Sequence, residues 1–231
     1  MRILTWNIRA GGGVRVPGIL AALAAHDADV LVLTEYRDGD AGTRLRAGLM
    51  EAGYRFITRT VPPAPRNGVL IAARYRFREH GAVSATLPEP WRMVDVSFGR
   101  LRVSGVYMPN LRAKVPYWRA LIDTLGPRAG GSSLALGDFN TCRAYVDEPG
   151  AFDVTAYFLD EIAAAGFRDL WRGRFPDGRE FSWYSHRGNG FRIDHAFGSP
   201  RLDRRVRGIR YSHGEREAGL SDHSPLMLDL D

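Results

Sequence analysis

The chain has 231 residues, 45% of them hydrophobic, which is enough to bury one substantial core and predicts a single domain over residues 1–231. The formal net charge is +6, and because Lys114 is the only lysine, the other 31 basic residues are arginines. Arginine binds phosphate oxygens in a bidentate manner and so favours a polyanionic partner, although arginine-rich codon usage would produce the same composition. The single cysteine, Cys142, excludes an intramolecular disulfide and a cysteine-rich zinc site.

Without a signal-peptide core or a membrane-length apolar run, we expect a cytoplasmic protein with no membrane partner.

The first predicted elements are a strand over 3–8 (ILTWNI) and a helix over 17–26, with Pro17 in the first helical turn. The glycine-rich segment between them partly matches a dinucleotide-binding turn, but Val16 stands at the third glycine position. A phosphate-binding P-loop is excluded because no Gly-Lys-Ser/Thr sequence occurs. Nucleotide-cofactor binding is therefore disfavoured.

Short apolar strands and interspersed helices follow along the rest of the chain. Strands are predicted over 29–35, 68–74, 93–98, 101–108, 133–139, 192–197 and 225–230, and helices over 42–53, 116–126 and 155–166. The two strands over 93–108 form a hairpin that turns at Gly99-Arg100. Hairpins mixed with helices predict the α+β class, with two packed sheets and helices on the outside.

The strand that contains LALGDFNT, residues 134–141, is apolar and then ends in polar residues. Since side chains alternate along a strand, Asp138 and Asn140 are expected to point to one side and Phe139 to the other. Gly, Asp and Asn are also common turn residues, so an ordinary strand end is the alternative interpretation.

Polar residues recur at the ends of other predicted strands, namely Asn7, Glu35, Tyr107, Asn110, Asp194, Asp222 and His223. If these ends meet, one cleft collects oxygen ligands that suit Mg²⁺ or Mn²⁺ rather than zinc. A carboxylate-rich centre in a basic protein suits metal-assisted attack on a phosphodiester. Each residue taken singly also has a structural explanation; Asp194, for example, could pair with Arg192.

Six short motifs occur in the order WNI, LTE, YMPN, GDFN, RIDH and SDHSP, and together they resemble the exonuclease/endonuclease/phosphatase superfamily. The resemblance covers essentially the whole chain and implies a four-layered α/β sandwich, with two mixed β-sheets face to face and helices outside. Other branches are expected to place a histidine where this chain has Tyr107. YMPN is instead similar to exonuclease III and the abasic-site (AP) endonucleases.

The resemblance also implies a role for each motif residue. Glu35 would bind the divalent metal, with Asn7 and Asp222 close to the metal and the phosphate. Asp138, helped by Asn140, would orient or deprotonate the attacking water, and Tyr107 would hydrogen-bond a phosphate oxygen. His223, paired with Asp194, would stabilise the charged transition state.

A second set of residues is implied for substrate binding. Trp183, Phe191 and Ile193 match the walls of the apolar pocket that receives a base-less sugar in AP endonucleases. The candidates for phosphate or DNA contact are Asn110, Arg112, Lys114, Arg143, Arg187 and Arg192. The chain departs from the branch in three ways: Arg9 replaces a small acidic or amide residue, the stretch between Asn140 and Ser182 is short, and the segment after Asn110 is trimmed.

We therefore expect a monomeric, Mg²⁺-dependent AP endonuclease, with Mn²⁺ as a substitute ion, that also has 3′-repair or 3′→5′ exonuclease activity on damaged duplex DNA. The alternative is a superfamily phosphoesterase that acts on RNA, a nucleotide, or an inositol or lipid phosphate. A catalytically inactive nucleic-acid-binding module is disfavoured because no key carboxylate is missing.

Overall fold

The computed structural model describes residues 1–150 and 153–231, and its architecture is built on two six-stranded mixed sheets. Sheet A has the order β13-β14-β1-β2-β4-β3, with strands β1 Arg2–Asn7, β2 Val30–Tyr36, β3 Phe56–Arg59, β4 Gly68–Ala73, β13 Val206–Tyr211 and β14 Leu226–Leu230. Sheet B has the order β5-β6-β7-β8-β12-β9, with strands β5 Arg78–Ala82, β6 Met93–Phe98, β7 Leu101–Tyr107, β8 Ser132–Asp138, β9 Arg168–Asp169 and β12 Asp194–Gly198. A separate two-stranded ribbon pairs β10 Trp183–Tyr184 with β11 Gly190–Phe191.

Six α-helices accompany these sheets in the described part of the chain. They are α1 Val16–His26, α2 Asp40–Glu51, α3 Val115–Leu125, α4 Phe158–Ala164, α5 Pro200–Asp203 and α6 Gly214–Glu217. Short 3₁₀ turns span Gly13–Arg15, Pro90–Arg92, Leu111–Lys114 and Gly126–Arg128. Within the described residues, no helix has both the length and the apolar character needed to cross a membrane.

Three apolar clusters among the described residues define the layers. The central cluster fills the space between the two sheets and includes Val32, Val69, Val103 and Leu136. A second packs α1 and α2 against the outer face of sheet A, and a third packs α3 and α4 against the outer face of sheet B. The predicted four-layered α/β sandwich of the α+β class is therefore confirmed.

The sheets approach each other closely at Gly105, where an added Cβ would lie 2.9 Å from Val32 Cγ1. Gly137 is required for a different reason. Its φ is +144° and an added Cβ would lie 1.9 Å from the carbonyl oxygen of Val106, so only glycine fits directly before Asp138.

Strand pairing brings polar residues of both sheets to one end of the sandwich. In sheet B, Tyr107 pairs with Asp138 in the parallel β7–β8 ladder, and Asp138 pairs with Asp194 in the antiparallel β8–β12 ladder. In sheet A, Asn7 pairs with Thr34 at the parallel ends of β1 and β2. Because paired residues share a face of a sheet, the three sheet B side chains form one polar row.

The eight predicted strands and four predicted helices are all present with small shifts of their ends, and the Gly99-Arg100 turn joins β6 to β7 as expected. The predicted helix over 155–166 begins only at Phe158. Strands β3, β5, β9, β10, β11 and β13 were not predicted. Strands β3, β5, β9 and β13 each pair with the outermost predicted strand of a six-stranded sheet, whereas β10 and β11 pair with each other.

Candidate active site

The polar strand ends meet in a cavity of about 640 Å³. Eleven of the residues predicted from the sequence line it: Glu35, Tyr107, Asn110, Lys114, Asp138, Asn140, Trp183, Phe191, Ile193, Asp222 and His223. Asn7 and Asp194 are buried and bond to residues that line the cavity. LALGDFNT therefore ends in polar residues that face a cavity, while Phe139 points into the core against Trp118.

The Asn7 side chain links the two sheets at the base of the cavity. Its Nδ2 donates to Asp138 Oδ2 at 2.9 Å and to Glu35 Oε1 at 3.2 Å, and it lies 3.5 Å from His223 Nε2. Its Oδ1 accepts the backbone N–H of Arg9 at 2.9 Å. The amide oxygen therefore already accepts one hydrogen bond, and the prediction that Asn7 is an oxygen ligand for a metal stays a prediction. Its amide nitrogen positions the carboxylates around it.

Glu35 enters the cavity because strand β2 is irregular at this point. The β2–β4 register shifts between Thr34 and Tyr36, and Glu35 has φ +56°. Such a bulge re-aims a side chain and is common beside active sites. The carboxylate accepts the backbone N–H of Ala10 at 2.7 Å through Oε2, and this bond helps to fix its direction.

His223 is held on three sides by buried groups. Its Nδ1 lies 2.8 Å from Asp194 Oδ2, its backbone N–H donates to Ser221 Oγ at 3.2 Å, and its carbonyl oxygen accepts Trp6 Nε1–H at 2.9 Å. Asp194 therefore pairs with His223, and the alternative pairing with Arg192 is wrong. Burial lowers the pKa of His223, but the Asp194 carboxylate more than offsets this and raises the pKa to about 10. The imidazole is cationic at neutral pH.

Asp138 lies opposite Asp194 and has a different electrostatic environment. Burial and the neighbouring Asp194 carboxylate raise the pKa of Asp138 to about 7, although His223 and the Asn7 amide act in the other direction. Its Oδ1 accepts the backbone N–H of Asn140 at 3.0 Å. A carboxylate with a pKa near 7 is suited to accept a proton from water.

Tyr107 faces the cavity from β7 with its hydroxyl between two partners. The hydroxyl lies 3.4 Å from Glu35 Oε1 and accepts Asn67 Nδ2–H at 3.3 Å. Burial and the Glu35 carboxylate raise the pKa of Tyr107 to about 12, so the phenol remains a hydrogen-bond donor. The contribution of Asn67 was missed, because its Asn-Gly sequence before β4 is typical of a turn.

The apolar wall of the cavity lies beside His223. Trp183 and Phe191 pair across the β10–β11 ribbon with their ring centroids 5.5 Å apart. Trp183 also bridges to His223 through the backbone, with the two rings 6.4 Å apart. Ile193 completes this wall.

Glu35, Asp138 and Asp222 present carboxylate oxygens to the cavity, a donor set that suits a hard divalent cation. Asp222 is partly exposed, and its Oδ2 accepts Trp183 Nε1–H at a long 3.4 Å. Asp138, Asp194 and His223 also have ligand atoms within 4.8 Å of one another and could hold an ion. Because His223 Nδ1 is already paired with Asp194, the residues outside that pair fit a metal better.

The residues predicted to contact phosphate have different environments. Asn110, Arg112 and Arg187 are exposed, and Arg143 pairs with Asp160 at 2.9 Å. Lys114 lines the cavity but is buried, with its Nζ bonded to Asn140 O and, at 3.0 Å, to Asp153 Oδ2.

Arg192 is in the wrong place for a phosphate contact. Only 1% of its surface is exposed, and its guanidinium lies 2.7 Å from both Asp147 Oδ1 and Asp169 Oδ2. Both carboxylates come from distant segments, so the local sequence gives no sign of this buried network. Arg192 is a structural cation.

Comparisons with known structures agree with this geometry. The chain is similar to the 3′ phosphatase NExo from Neisseria bound to a product DNA hairpin (26% identity, TM-score 0.87), covering 100% of this chain and 99% of that one. A second structure, the 3′-5′ exonuclease NExo from Neisseria meningitidis, matches at 25% identity and TM-score 0.87, with 100% of each chain covered. An AP endonuclease from Archaeoglobus fulgidus shares the fold at 20% identity and TM-score 0.88, covering 100% of this chain and 99% of the other.

No curated protein sequence matches the chain significantly. The family model described as the Endonuclease/Exonuclease/phosphatase family matches residues 4–223. This match includes the motifs that carry Asn7, Glu35, Asp138 and His223. The superfamily predicted from the sequence is confirmed, and the chain belongs to the endonuclease/exonuclease/phosphatase family.

Proposed function

We propose that this chain is a divalent-metal-dependent phosphodiester hydrolase of damaged DNA, acting as an AP endonuclease with 3′-repair or 3′→5′ exonuclease activity. The observation that carries the proposal is the position of the Asp138–Asn7–His223 cluster in the same cavity as the apolar wall of Trp183 and Phe191. Reacting groups and an apolar surface thus lie side by side.

The protein residues divide the chemistry between them. Asp138, with its raised pKa, orients the attacking water and accepts its proton. Cationic His223 stabilises the negative charge that develops on the phosphate oxygens, and Asp194 fixes the tautomer and direction of its ring. Tyr107 donates a hydrogen bond from its hydroxyl to a phosphate oxygen.

Mg²⁺, or Mn²⁺ in its place, would be held by Glu35 and Asp222. When bound, the ion neutralises phosphate charge and polarises the scissile bond. Asn7 holds Glu35 and Asp138 in place through its amide nitrogen, and Asn140 supports Asp138 through its backbone N–H. These contacts arrange the oxygens before a substrate arrives.

The apolar wall supports selection for damage. Trp183, Phe191 and Ile193 provide an apolar surface against which a flipped deoxyribose without a base packs. The exposed residues Arg112 and Arg187 are proposed to contact the DNA backbone.

The similar structures support DNA as the substrate. One of them is a 3′ phosphatase bound to a DNA hairpin, and it matches this chain along its whole length. A chain of this length is therefore compatible with action on DNA ends. This similarity favours 3′-end repair as one of the activities.

The test is a set of labelled substrates incubated with and without Mg²⁺. The set contains a duplex with one abasic analogue, a duplex with a 3′-phosphate at a nick, an intact duplex and a single-stranded RNA. We expect Mg²⁺-dependent cleavage at the abasic site with a 3′-hydroxyl product, and removal of the 3′-phosphate. Full activity in EDTA would reject the metal-dependent mechanism.

Two variants sharpen this assay. Glu35→Gln removes an anionic ligand and should raise the Mg²⁺ concentration required for half-maximal rate. Met50→Ala changes an exposed residue of α2 outside the cavity and serves as the matched control. Activity on RNA or on nucleotides alone would favour the other phosphoesterase assignment.

A further inference from the structure

Leu111 is an exposed apolar residue at the lip of the cavity. Its side chain lines the cavity, yet 78% of the residue surface is exposed. Its backbone has φ +56°, a left-handed conformation that is uncommon for leucine. Strained backbone of this kind is concentrated at functional sites, so both the side chain and the backbone of Leu111 call for an explanation.

The segment beneath Leu111 is firmly anchored. Leu111 begins the 3₁₀ turn Leu111–Lys114, which runs directly into helix α3. Lys114, 2% exposed, fastens this turn to the carbonyl oxygen of Asn140 and to Asp153 Oδ2. The tip that carries Leu111 is thus tied to the end of β8, two residues beyond Asp138.

The neighbours of Leu111 define what could cover it. Asn110 lines the cavity and Arg112 is exposed, so an amide and a cation flank the apolar side chain. Such a pattern is complementary to a nucleic-acid strand, whose bases offer flat apolar faces between phosphates. Apolar side chains that enter a base stack separate neighbouring base pairs.

The burial of the reacting groups bears on how a substrate reaches them. Asp138 and His223 are buried side chains that line the cavity, so the reacting phosphate has to enter the cavity. A 3′-terminal nucleotide that is separated from its complement is free to move toward them, whereas a paired nucleotide is held in the stack.

We propose that Leu111 is a wedge that stacks on the last base pair of a DNA duplex and separates the 3′-terminal nucleotide from its complement. The wedge rests on the proposed action at 3′ ends, and it extends that function to fully paired termini. Arg112 and Asn110 would hold the strand on either side of the separated nucleotide.

The experiment compares Leu111→Asn and Leu111→Gly with wild type. Both replacements tolerate a positive φ, so they remove the apolar group and retain the backbone conformation. Single-turnover rates of 3′-nucleotide removal are measured with Mg²⁺ on two duplexes, one fully paired at the 3′ end and one with two terminal mismatches. Met50→Ala is the matched exposed-apolar control, and thermal melting checks the fold.

Loss of the apolar surface should reduce the paired-end rate roughly tenfold more than the mismatched-end rate in both variants, because burial of one leucine side chain has at least that effect on binding. The fluorescence of 2-aminopurine at the 3′ terminus should rise when the inactive Asp138→Asn protein binds the paired duplex. The rise should be smaller with the double variant that carries both Asp138→Asn and Leu111→Asn. Equal losses on both duplexes, or no loss on either, would overturn the wedge while leaving DNA hydrolysis intact. Wild-type inactivity on both duplexes would reject the proposed 3′-end activity itself, and the wedge with it.

Discussion

Asp194 and His195 are consecutive residues of β12, and each belongs to a histidine–carboxylate pair on a different face of sheet B. Asp194 is buried behind the cavity and pairs with His223, which lines it, at 2.8 Å. His195 faces the opposite side, where its Nδ1 lies 3.3 Å from Asp169 Oδ2 and its Nε2 lies 2.8 Å from Thr141 O. The two pairs contain the same residue types, so their difference has to come from their surroundings.

The difference is the nature of the compensating cation. On the buried side, Arg192 neutralises Asp147 and Asp169 with a charge that does not titrate. On the cavity side, Asp194 pairs with the imidazole of His223, and Asp138 accepts hydrogen bonds from the neutral amide of Asn7 and the backbone N–H of Asn140. The permanent charge of Arg192 makes its network structural. The titratable charge of His223, next to the cavity, makes that side suited to proton transfer.

The pKa values follow this division. Burial and Asp194 raise the pKa of Asp138 to about 7. Burial acts in the same direction on Asp169, but the Arg192 guanidinium dominates and holds the pKa of that carboxyl well below its usual range. One carboxylate can therefore exchange a proton near neutral pH and the other stays ionised.

The largest expected effect is on the cavity side. Asp138→Asn and His223→Ala should each lower turnover on abasic DNA roughly 10²–10⁴-fold, the range for a positioned proton-transfer or charge-stabilising group. DNA binding, measured by fluorescence anisotropy in the presence of Mg²⁺, should persist. If binding and the melting transition were both lost, these residues would be structural like those around Arg192.

The second effect is on stability. Arg192→Met removes the common partner of the buried Asp147 and the partly buried Asp169 and should cost about 3–5 kcal/mol of unfolding free energy. Urea denaturation measures this cost, with Arg187→Met as the exposed arginine control. A change no larger than that of the control would show that the stability of the network does not depend on Arg192. Arg172, which also pairs with Asp147, would then neutralise that carboxylate without it.

A smaller effect is expected at the apolar wall. Phe191→Ala removes a surface whose burial contributes about 1.5–3 kcal/mol, so kcat/KM on abasic DNA should fall roughly tenfold to a hundredfold. Cleavage of undamaged 3′ ends should fall less, because Asp138 and His223 are unchanged. The ratio of the two rates in wild type and variant measures this, and an unchanged ratio would assign Phe191 to packing alone.

The smallest expected effect is on the unfolding free energy at acidic pH. Because the folded-state pKa of Asp169 is depressed, its ionisation contributes stability that is complete above the ordinary carboxyl pKa of about 4 and is lost as pH falls below it. The unfolding free energy of wild type should therefore decrease between pH 5 and pH 3 more steeply than that of Asp169→Asn. Arg192, His195 and Asp147 face this carboxyl and are common to both proteins. Parallel slopes would contradict the assignment.

Much of this arrangement was predictable from the sequence. Apolar strands bounded by glycine and polar residues marked the central strands, including β8 with Asp138. The polar motifs at their ends predicted which side chains would meet, because parallel neighbours such as β7 and β8 end at the same edge. Asn7, Asp138 and His223 converge as expected.

The parts that could not be predicted depend on distant segments. FRIDHAF places charged residues on both faces of a strand, and nothing local shows that Asp147 and Asp169 will surround Arg192 rather than leave it for a phosphate. The orientation of the Asn7 amide is decided by the backbone N–H of Arg9 in a left-handed loop. Strand β5, REHGA, forms at the edge of sheet B by pairing with β6, although its own residues lack an apolar alternation.

The central claim is that the His223–Asp194 pair serves catalysis and the His195–Asp169 pair serves stability. The most direct test measures both activity and stability in two matched variants, Asp194→Asn and Asp169→Asn. Each is assayed for Mg²⁺-dependent cleavage of a duplex with a single abasic analogue and for unfolding free energy in urea. We predict that Asp194→Asn loses most of its cleavage rate with a small change in stability, whereas Asp169→Asn loses stability and retains the rate at temperatures where it is folded. A fully active Asp194→Asn protein would contradict the assignment of the His223–Asp194 pair to catalysis.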